Sequence, residues 1–202
     1  MPELDDELMQ RFQKGDEDAF NLLVRRHQQS LINFIARYIG DKDNAEDLAQ
    51  ETFIRMFKAA NRYKPGRAQF KTWMYFIAKN LCKNEIRNRG RRERYQVDNI
   101  VSNDNSIDGN NEEIDLIASA PADSAFQPEV TLERKELRST IQKAIAELPD
   151  QYRLPLVLRD IQGLSYDEIG NILELRSGTT KSRINRARLM LKDKLKSYME
   201  LI

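Results

Sequence analysis

The sequence has few of the residues from which catalytic and metal sites are usually built. It contains one histidine, His27, and one cysteine, Cys82. One histidine rules out a metal site made of several histidines, and one cysteine cannot form a disulfide within the chain. No apolar run is long enough to cross a bilayer, and the N-terminus is acidic instead of basic and then apolar. We therefore expect a cytoplasmic protein without membrane insertion.

The chain also has almost no net charge, although its charges are strongly segregated. Lys and Arg number 33 and Asp and Glu number 32, which gives a formal net charge of +1. Residues 58–94 nevertheless carry twelve Lys and Arg against two Glu, and residues 176–196 carry eight against one Asp. Between these blocks, residues 96–129 carry eight carboxylates and no cation. Blocks of one sign are typical of interaction surfaces, so the basic blocks indicate a nucleic-acid partner.

The acidic middle of the chain predicts two domains. Residues 96–128 are rich in Asn, Asp, Ser, Pro and Ala and show neither a helical nor a strand period. Such a segment is predicted to be a flexible linker between a domain at residues 1–95 and one at residues 129–202. The linker is either a solvated tether or a mimic of nucleic acid that masks the basic blocks.

The first domain is predicted to be helical throughout. Asp16 can cap a helix that Gly40 ends, and His27 falls on its apolar stripe as a packed residue. Asp43 and Glu46 form a capping-box pattern for a second helix. The side chains of this second helix that we expect to be buried are Leu48, Phe53, Met56 and Phe57.

A third helix, from about Phe70 to Asn88, combines aromatic residues with a basic stripe. Lys79, Lys83 and Arg87 recur at a spacing of four. Cations that follow phosphates beside pockets for unstacked bases are typical of single-strand binding. The alternative is a core helix with a solvated lysine face. The basic loop before the helix favours the binding interpretation. Cys82 is either a small buried residue or a redox-sensitive thiol.

The second domain contains a helix-turn-helix pattern. Ser165 and Glu168 form a capping box for a short helix, and a second helix can begin at Ser177. The apolar stripe of that second helix consists of Ile184, Ala187 and Leu191. The side chains on its opposite face, which could contact base edges in the major groove, are Lys181, Ser182, Asn185 and Arg186.

Four motifs together make the chain resemble the extracytoplasmic-function sigma factors, the compact group of the sigma-70 family. The motifs are Gly15-Asp16-Glu17-Asp18-Ala19-Phe20, Ala45-Glu46-Asp47-Leu48-Ala49-Gln50-Glu51-Thr52-Phe53, Phe70-Lys71-Thr72-Trp73 with Ile77-Ala78-Lys79-Asn80, and the helix-turn-helix. The resemblance implies an all-α fold of two small helical domains, an N-terminal bundle and a four-helix domain with the helix-turn-helix. It implies a transcription initiation factor that is not an enzyme and needs no cofactor, metal or small-molecule substrate.

The resemblance also implies partners and the residues that bind them. The factor would bind bacterial core RNA polymerase at the clamp helices of the largest subunit and the flap of the second-largest, bind promoter DNA, and be restrained by an anti-sigma factor. The implied contacts with the clamp helices are Asp47, Gln50 and Glu51. The implied contacts with the melted downstream element are Tyr63, Lys64, Arg67, Lys71, Lys79, Asn80, Lys83 and Arg87. The implied contacts with the upstream element are Arg176, Ser177, Gly178, Thr179, Lys181, Ser182, Arg183 and Arg186.

The chain departs from the family pattern at Arg176, Ser177 and Thr180, and two other functions remain open. Thr180 stands on the apolar stripe, so its hydroxyl needs a partner such as the carbonyl one turn back. A stand-alone helix-turn-helix repressor would bind a palindromic operator without polymerase. A metal-dependent nucleic-acid enzyme could use Asp47 and Glu51, which lie one helical turn apart, as ligands.

Overall fold

The computed structural model describes residues 4–66, 68–100, 137 and 139–199. For residues 93–100 and 197–199 it describes the backbone only. Every regular element within these ranges is helical, which confirms the predicted all-α class with two helical domains. The prediction for Arg67 and most of the predicted linker, residues 101–128, lie outside the described residues. No described helix combines the length and apolar character needed to cross a membrane.

The N-terminal domain consists of four α-helices and a short 3-10 turn. The helices are α1 (Asp5–Gln13), α2 (Glu17–Ile39), α3 (Lys42–Lys58) and α4 (Phe70–Ile100), and the turn covers Ala60–Arg62. Their mutual packing buries a core that includes Leu23, Leu31, Phe34, Ile35, Met56 and Met74. This core fixes the relative positions of α3 and α4, which carry the predicted polymerase and strand contacts.

The ends of these helices follow the predicted caps with two differences. Asp16 caps α2 by accepting from the backbone N–H of Ala19, and Gly40 ends it in the left-handed conformation with φ of 73°. The predicted capping box at Asp43 is wrong, because Asp41 caps α3 by accepting from the backbone N–H of Asn44 at 3.0 Å. Helix α4 also runs beyond Asn88 to Ile100, so helix extends past the predicted domain boundary.

The C-terminal domain contains α5 over residues 139–146, α6 (Asp150–Leu156), α7 (Tyr166–Leu173) and α8 (Ser177–Met199), with a π-helical turn at Val157–Ile161. The Ser165 hydroxyl accepts from the backbone N–H of Glu168, and the Glu168 carboxylate accepts from the backbone N–H of Ser165. This confirms the predicted capping box at the start of α7. Helices α7 and α8 form the predicted helix-turn-helix.

The turn between α7 and α8 is tight at Gly170. A Cβ atom at this position would lie 2.8 Å from the backbone carbonyl oxygen of Leu175. The backbone N–H of Leu175 donates to the Gly170 carbonyl at 2.9 Å. A residue without a side chain therefore lets the chain turn back closely enough for α8 to pack on α7.

Candidate DNA and polymerase interfaces

Helix α8 separates its packing side from its exposed side as predicted. Ile184 and Ala187 are fully buried, whereas Lys181, Ser182, Asn185 and Arg186 are exposed. Arg183 is half-buried at the edge of the exposed side. A helix with this exposure can lie in a major groove without unpacking the domain that holds it.

The start of α8 presents backbone donors beside a cation. Arg176, Ser177 and Gly178 are exposed, and Thr179 is half-buried. The first backbone N–H groups of a helix have no partner within the helix, which makes this end suitable for a phosphate. The hydroxyl of Thr180 is fully buried and donates to the Arg176 carbonyl at 3.2 Å, which is the partner that the sequence requires.

Helix α4 carries the predicted basic stripe, although its members differ in access. Lys71, Lys83 and Arg87 are exposed and Asn80 is half-buried. Lys79 is only 9% exposed. Its ammonium group lies 3.1 Å from a carboxylate oxygen of Glu174 and 4.8 Å from the ring centroid of Phe76. Lys79 is therefore covered in this arrangement of the two domains, and its contact with DNA stays a prediction.

Helix α7 and the turn before it cover the region of α4 around Lys79. The Thr72 hydroxyl donates to Glu168 at 3.2 Å, and the Tyr75 hydroxyl donates to the Gln162 side chain at 2.7 Å. These contacts join residues of the two domains. Neither Gln162 nor Glu174 belongs to a motif, and both lie more than eighty residues from their partners, so the sequence pattern does not reveal them.

The basic loop between α3 and α4 is exposed at Lys64, and Tyr63 is its buried first residue. The Tyr63 side chain is 5% exposed, and its ring centroid lies 5.1 Å from that of Trp73. Its hydroxyl donates to an Asp6 carboxylate oxygen at 2.5 Å. Burial, assisted by that carboxylate, raises the pKa of Tyr63 well above its usual range. The ring and the hydroxyl of Tyr63 are therefore both engaged within the protein, and the DNA contact of Tyr63 stays a prediction.

The predicted polymerase contacts lie on one face of α3. Asp47 and Gln50 are exposed, and Glu51 is half-buried and accepts from the Arg55 guanidinium at 2.6 Å. None of the described acidic residues here forms a group of three or more His, Cys, Asp or Glu that could hold a metal ion.

The same face of α3 continues into an exposed apolar groove. The groove is formed by Phe20, Phe53, Ile54, Phe57 and Lys58. Phe57, which the sequence pattern predicts to be buried, is 48% exposed, although its ring contacts those of Phe12 and Phe20. The spacing of Ile54 and Phe57 from Asp47 and Gln50 places them on one side of a helix. That spacing is the signal by which the sequence could have revealed this apolar extension.

Cys82 is a packing residue. It is fully buried, and burial raises the pKa of its thiol to about 12. Because the thiolate is the reactive form, a thiol that stays protonated at neutral pH is inert. The structure therefore favours the small buried residue over the redox-sensitive thiol.

The fold and these surfaces define a helical protein with two domains, one of which presents a helix-turn-helix to DNA. The Sigma-70 region 2 profile matches residues 23–92, and the Sigma-70 region 4 profile matches residues 138–191. The chain belongs to the extracytoplasmic-function sigma factors of the sigma-70 family, and it acts in promoter-specific transcription initiation by RNA polymerase.

Two curated relatives cover nearly the whole chain. The RNA polymerase sigma-H factor of Pseudomonas aeruginosa is 36% identical over 186 residues, which are 92% of this chain and 91% of that protein. The ECF RNA polymerase sigma-E factor of Escherichia coli strain K12 is 36% identical over 192 residues, 95% of this chain and 94% of that protein. The relatives are sigma factors, which are not enzymes.

Two solved structures share the fold. The sigma factor RpoE of Bartonella quintana, solved with the anti-sigma factor NepR, aligns with a TM-score of 0.66 and 24% identity, over 88% of this chain and 96% of that chain. CnrH, solved with the cytosolic domain of CnrY, aligns with a TM-score of 0.65 and 23% identity, over 96% and 99%.

Proposed function

We propose that this sigma factor divides promoter recognition between α8 and α4 and does no covalent chemistry. The exposed side of α8 binds the upstream element in the major groove, with Arg183 and Arg186 at base edges and Arg176 at a phosphate. The observation that carries this assignment is the separation of exposed polar and buried apolar side chains on opposite sides of α8. Bidentate arginine contacts with guanine are the commonest specific contacts in that groove.

The N-terminal domain then stabilises the melted downstream strand. Lys83 and Arg87 of α4 and Lys64 of the preceding loop are exposed and neutralise phosphates, while Asn80 lies beside them to contact an unpaired base. Such contacts exist only for unpaired bases, so they offset an unstacking cost of a few kcal/mol. Lys79 joins this surface after α7 has moved away, because Glu174 and α7 cover it in the structure described here.

The acidic face of α3 binds the clamp helices of core polymerase through Asp47, Gln50 and Glu51. Their exposure and negative charge support this role. The C-terminal domain contacts the flap of the second-largest subunit. Two relatives of the same fold were solved with the anti-sigma factor NepR and with CnrY, which supports an anti-sigma partner for this chain as well. Activity with core polymerase places the protein in the cytoplasm.

A pair of charge reversals on α3 tests the polymerase contact. Asp47→Lys should reduce capture of core polymerase by more than tenfold, because a buried or rim carboxylate that becomes a cation repels its former partner. Glu46→Lys is the matched control, since Glu46 is the exposed neighbour of Asp47 on the same helix. If both variants capture equal amounts of core polymerase at unchanged helix content, Asp47 is a solvent-exposed residue of α3 without a specific contact with polymerase.

A single incubation separates this proposal from an enzymatic function. Purified factor with promoter DNA and Mg²⁺ should leave the DNA intact, whereas addition of core polymerase and nucleotides should yield transcripts. Cleavage without polymerase that disappears on chelation would contradict the non-catalytic assignment.

A further inference from the structure

Helix α1 lies outside the residues that the region 2 profile matches, which begin at residue 23. None of the contacts that the resemblance implies falls on this helix. It nevertheless reaches the loop between α3 and α4, here called the promoter loop and defined by the described residues 63–66 and 68–69. The contacts between α1 and this loop are made by side chains of Asp6 and Gln13.

Gln13 holds the entrance of the promoter loop. Its side-chain amide donates to the backbone carbonyl of Ala60 and to that of Tyr63, both at 2.8 Å. The Ala60 carbonyl belongs to the first residue of the 3-10 turn Ala60–Arg62, and the Tyr63 carbonyl belongs to the residue directly after that turn. One amide group thus fixes both the turn and the first residue of the loop.

Asp6 joins the two ends of the loop. Its Oδ1 accepts from the Tyr63 hydroxyl at 2.5 Å and from the backbone N–H of Phe70 at 3.3 Å. Phe70 is the first residue of α4, so Asp6 also satisfies a helix N–H that has no partner within the helix. The Ala68 carbonyl lies 3.1 Å from the same Tyr63 hydroxyl, which draws the end of the loop toward this point.

Helix α1 is itself firmly attached to α2. Asp5 accepts from the Arg26 guanidinium at 2.5 Å and lies 2.8 Å from the His27 ring nitrogen, and Leu8 and Met9 are fully buried. Asp6 and Gln13 therefore project from a helix with a fixed position. A carboxylate and an amide held in this way act as anchors for the loop.

We propose that Asp6 and Gln13 are positioning residues for recognition of the melted downstream strand. They hold the promoter loop in the shape in which Lys64 and its neighbours meet unpaired bases, without touching DNA themselves. The proposal rests on the assignment of the promoter loop to the melted strand. A fixed loop shape improves discrimination between bases. The contacts with the correct base need precise positions, so they are the first to be lost when the loop shifts.

The test compares two glutamines of α1 in holoenzyme assembled from the full chain and core polymerase. Gln13→Glu removes the amide donor and places a carboxylate against two carbonyl oxygens, whereas Gln10→Glu makes the same change at an exposed position of the same helix. The probe is an oligonucleotide of the non-template strand of a promoter that the factor transcribes, together with versions in which each downstream-element base is replaced. Gln13→Glu should reduce discrimination between these strands about tenfold, and Gln10→Glu should leave it unchanged.

Two further readouts distinguish positioning from general loss of stability. Polymerase affinity and binding of upstream duplex should stay unchanged in Gln13→Glu, whereas a merely structural role would lower them together. Asp6→Ala should also lose discrimination, and Asp6→Asn should recover it because the amide oxygen still accepts both hydrogen bonds. The Asp6 pair stands in for Gln13→Glu if that variant does not fold.

Two results would overturn the proposal. Unchanged discrimination in Gln13→Glu and Asp6→Ala, with a loss in Lys64→Ala or Asn80→Ala, would leave the loop in its role and remove α1 from it. Unchanged discrimination in all four variants would overturn the assignment of the loop as well.

Discussion

The two surfaces that we propose bind DNA differ in how accessible they are in the folded chain. Helix α8 exposes Lys181, Ser182 and Arg186 on the side opposite its buried apolar stripe. Helix α4 exposes Lys83 and Arg87 but has Lys79 covered by the C-terminal domain. The surface proposed for duplex DNA is therefore accessible in the structure, and the surface proposed for melted DNA is partly covered.

This difference in accessibility matches the form of DNA that each surface is proposed to bind. Duplex DNA exists before polymerase binds, and a preformed helix in the groove needs no rearrangement. The contacts that cover α4 are polar: Thr72 with Glu168, Tyr75 with Gln162, and Lys79 with Glu174. Each hydrogen bond of this kind contributes about 0.5–1.5 kcal/mol. These three contacts together thus contribute a few kcal/mol, which is small beside the free energy of a large polymerase interface.

The largest effect is expected on the exposed surface. Arg186→Ala should weaken binding to the upstream duplex by about 1–3 kcal/mol and relax base preference at one position, because a bidentate contact to a base is lost. The measurement is holoenzyme affinity across duplexes with single base changes. Lys192→Ala, on the same helix, serves as the control and should weaken all sequences alike, if at all. Equal weakening of every sequence by Arg186→Ala would indicate a phosphate contact instead.

A smaller effect is expected at Asp5 of α1, the helix whose Asp6 contacts the start of α4. Burial opposes ionisation of Asp5, but the hydrogen bonds from His27 and Arg26 hold its pKa below the usual range. The stability that a depressed carboxyl pKa contributes is present above the unfolded value, about 3.9 for aspartate, and is lost as pH falls through the lower folded value.

Asp5→Asn should therefore lower the free energy of unfolding by about 1 kcal/mol at neutral pH and reduce its fall below about pH 4. Melting temperature measured against pH checks both statements. Glu46→Gln, at an exposed position of α3, should leave the acid limb of that curve as it is in the unmodified chain. An identical acid limb in Asp5→Asn would mean that the Asp5 contacts with α2 contribute nothing to stability.

The smallest effect is expected from the pair between Lys79 and Glu174, which makes α4 less accessible than α8. Glu174 pairs with Lys79 while its side chain is 71% exposed, and pairs of this kind contribute about 0.2–1 kcal/mol. Glu174→Gln should raise the affinity of the free factor for single-stranded downstream DNA by up to about fivefold at low salt. The gain should shrink as salt screens the pair that is being removed.

Asp167→Asn is the matched control for this change, because it removes one negative charge at an exposed position of α7, the helix that Glu174 directly follows. Binding of upstream duplex should be the same in both variants. Equal single-strand affinity in Glu174→Gln and in the unmodified chain would show that the Lys79 pair does not limit access to α4.

The sequence by itself determined the local features of this protein. Hydrogen bonds between Ser165 and Glu168 span three residues, the left-handed stop at Gly40 needs only one, and the buried stripe of α8 repeats every turn. Such features depend on spacing along the chain, which a sequence pattern records directly. The fold class and the exposed side of α8 could be predicted for this reason. The start of α3 was predicted less well: Asp41 caps the helix instead of Asp43, because the sequence pattern does not distinguish two nearby carboxylates.

Only the tertiary structure decided which predicted contacts are accessible. Tyr63 and Lys79 stand in basic, polar surroundings in the sequence, but the first donates to Asp6 fifty-seven residues away and the second pairs with Glu174 ninety-five residues away. The amide of Gln13 likewise reaches a carbonyl fifty residues along the chain. Helical periodicity fixes which side of a helix is apolar, whereas the neighbour that packs on it is set by how all the helices fit together. Burial of a polar side chain is a property of that fit, and it appears in no single segment.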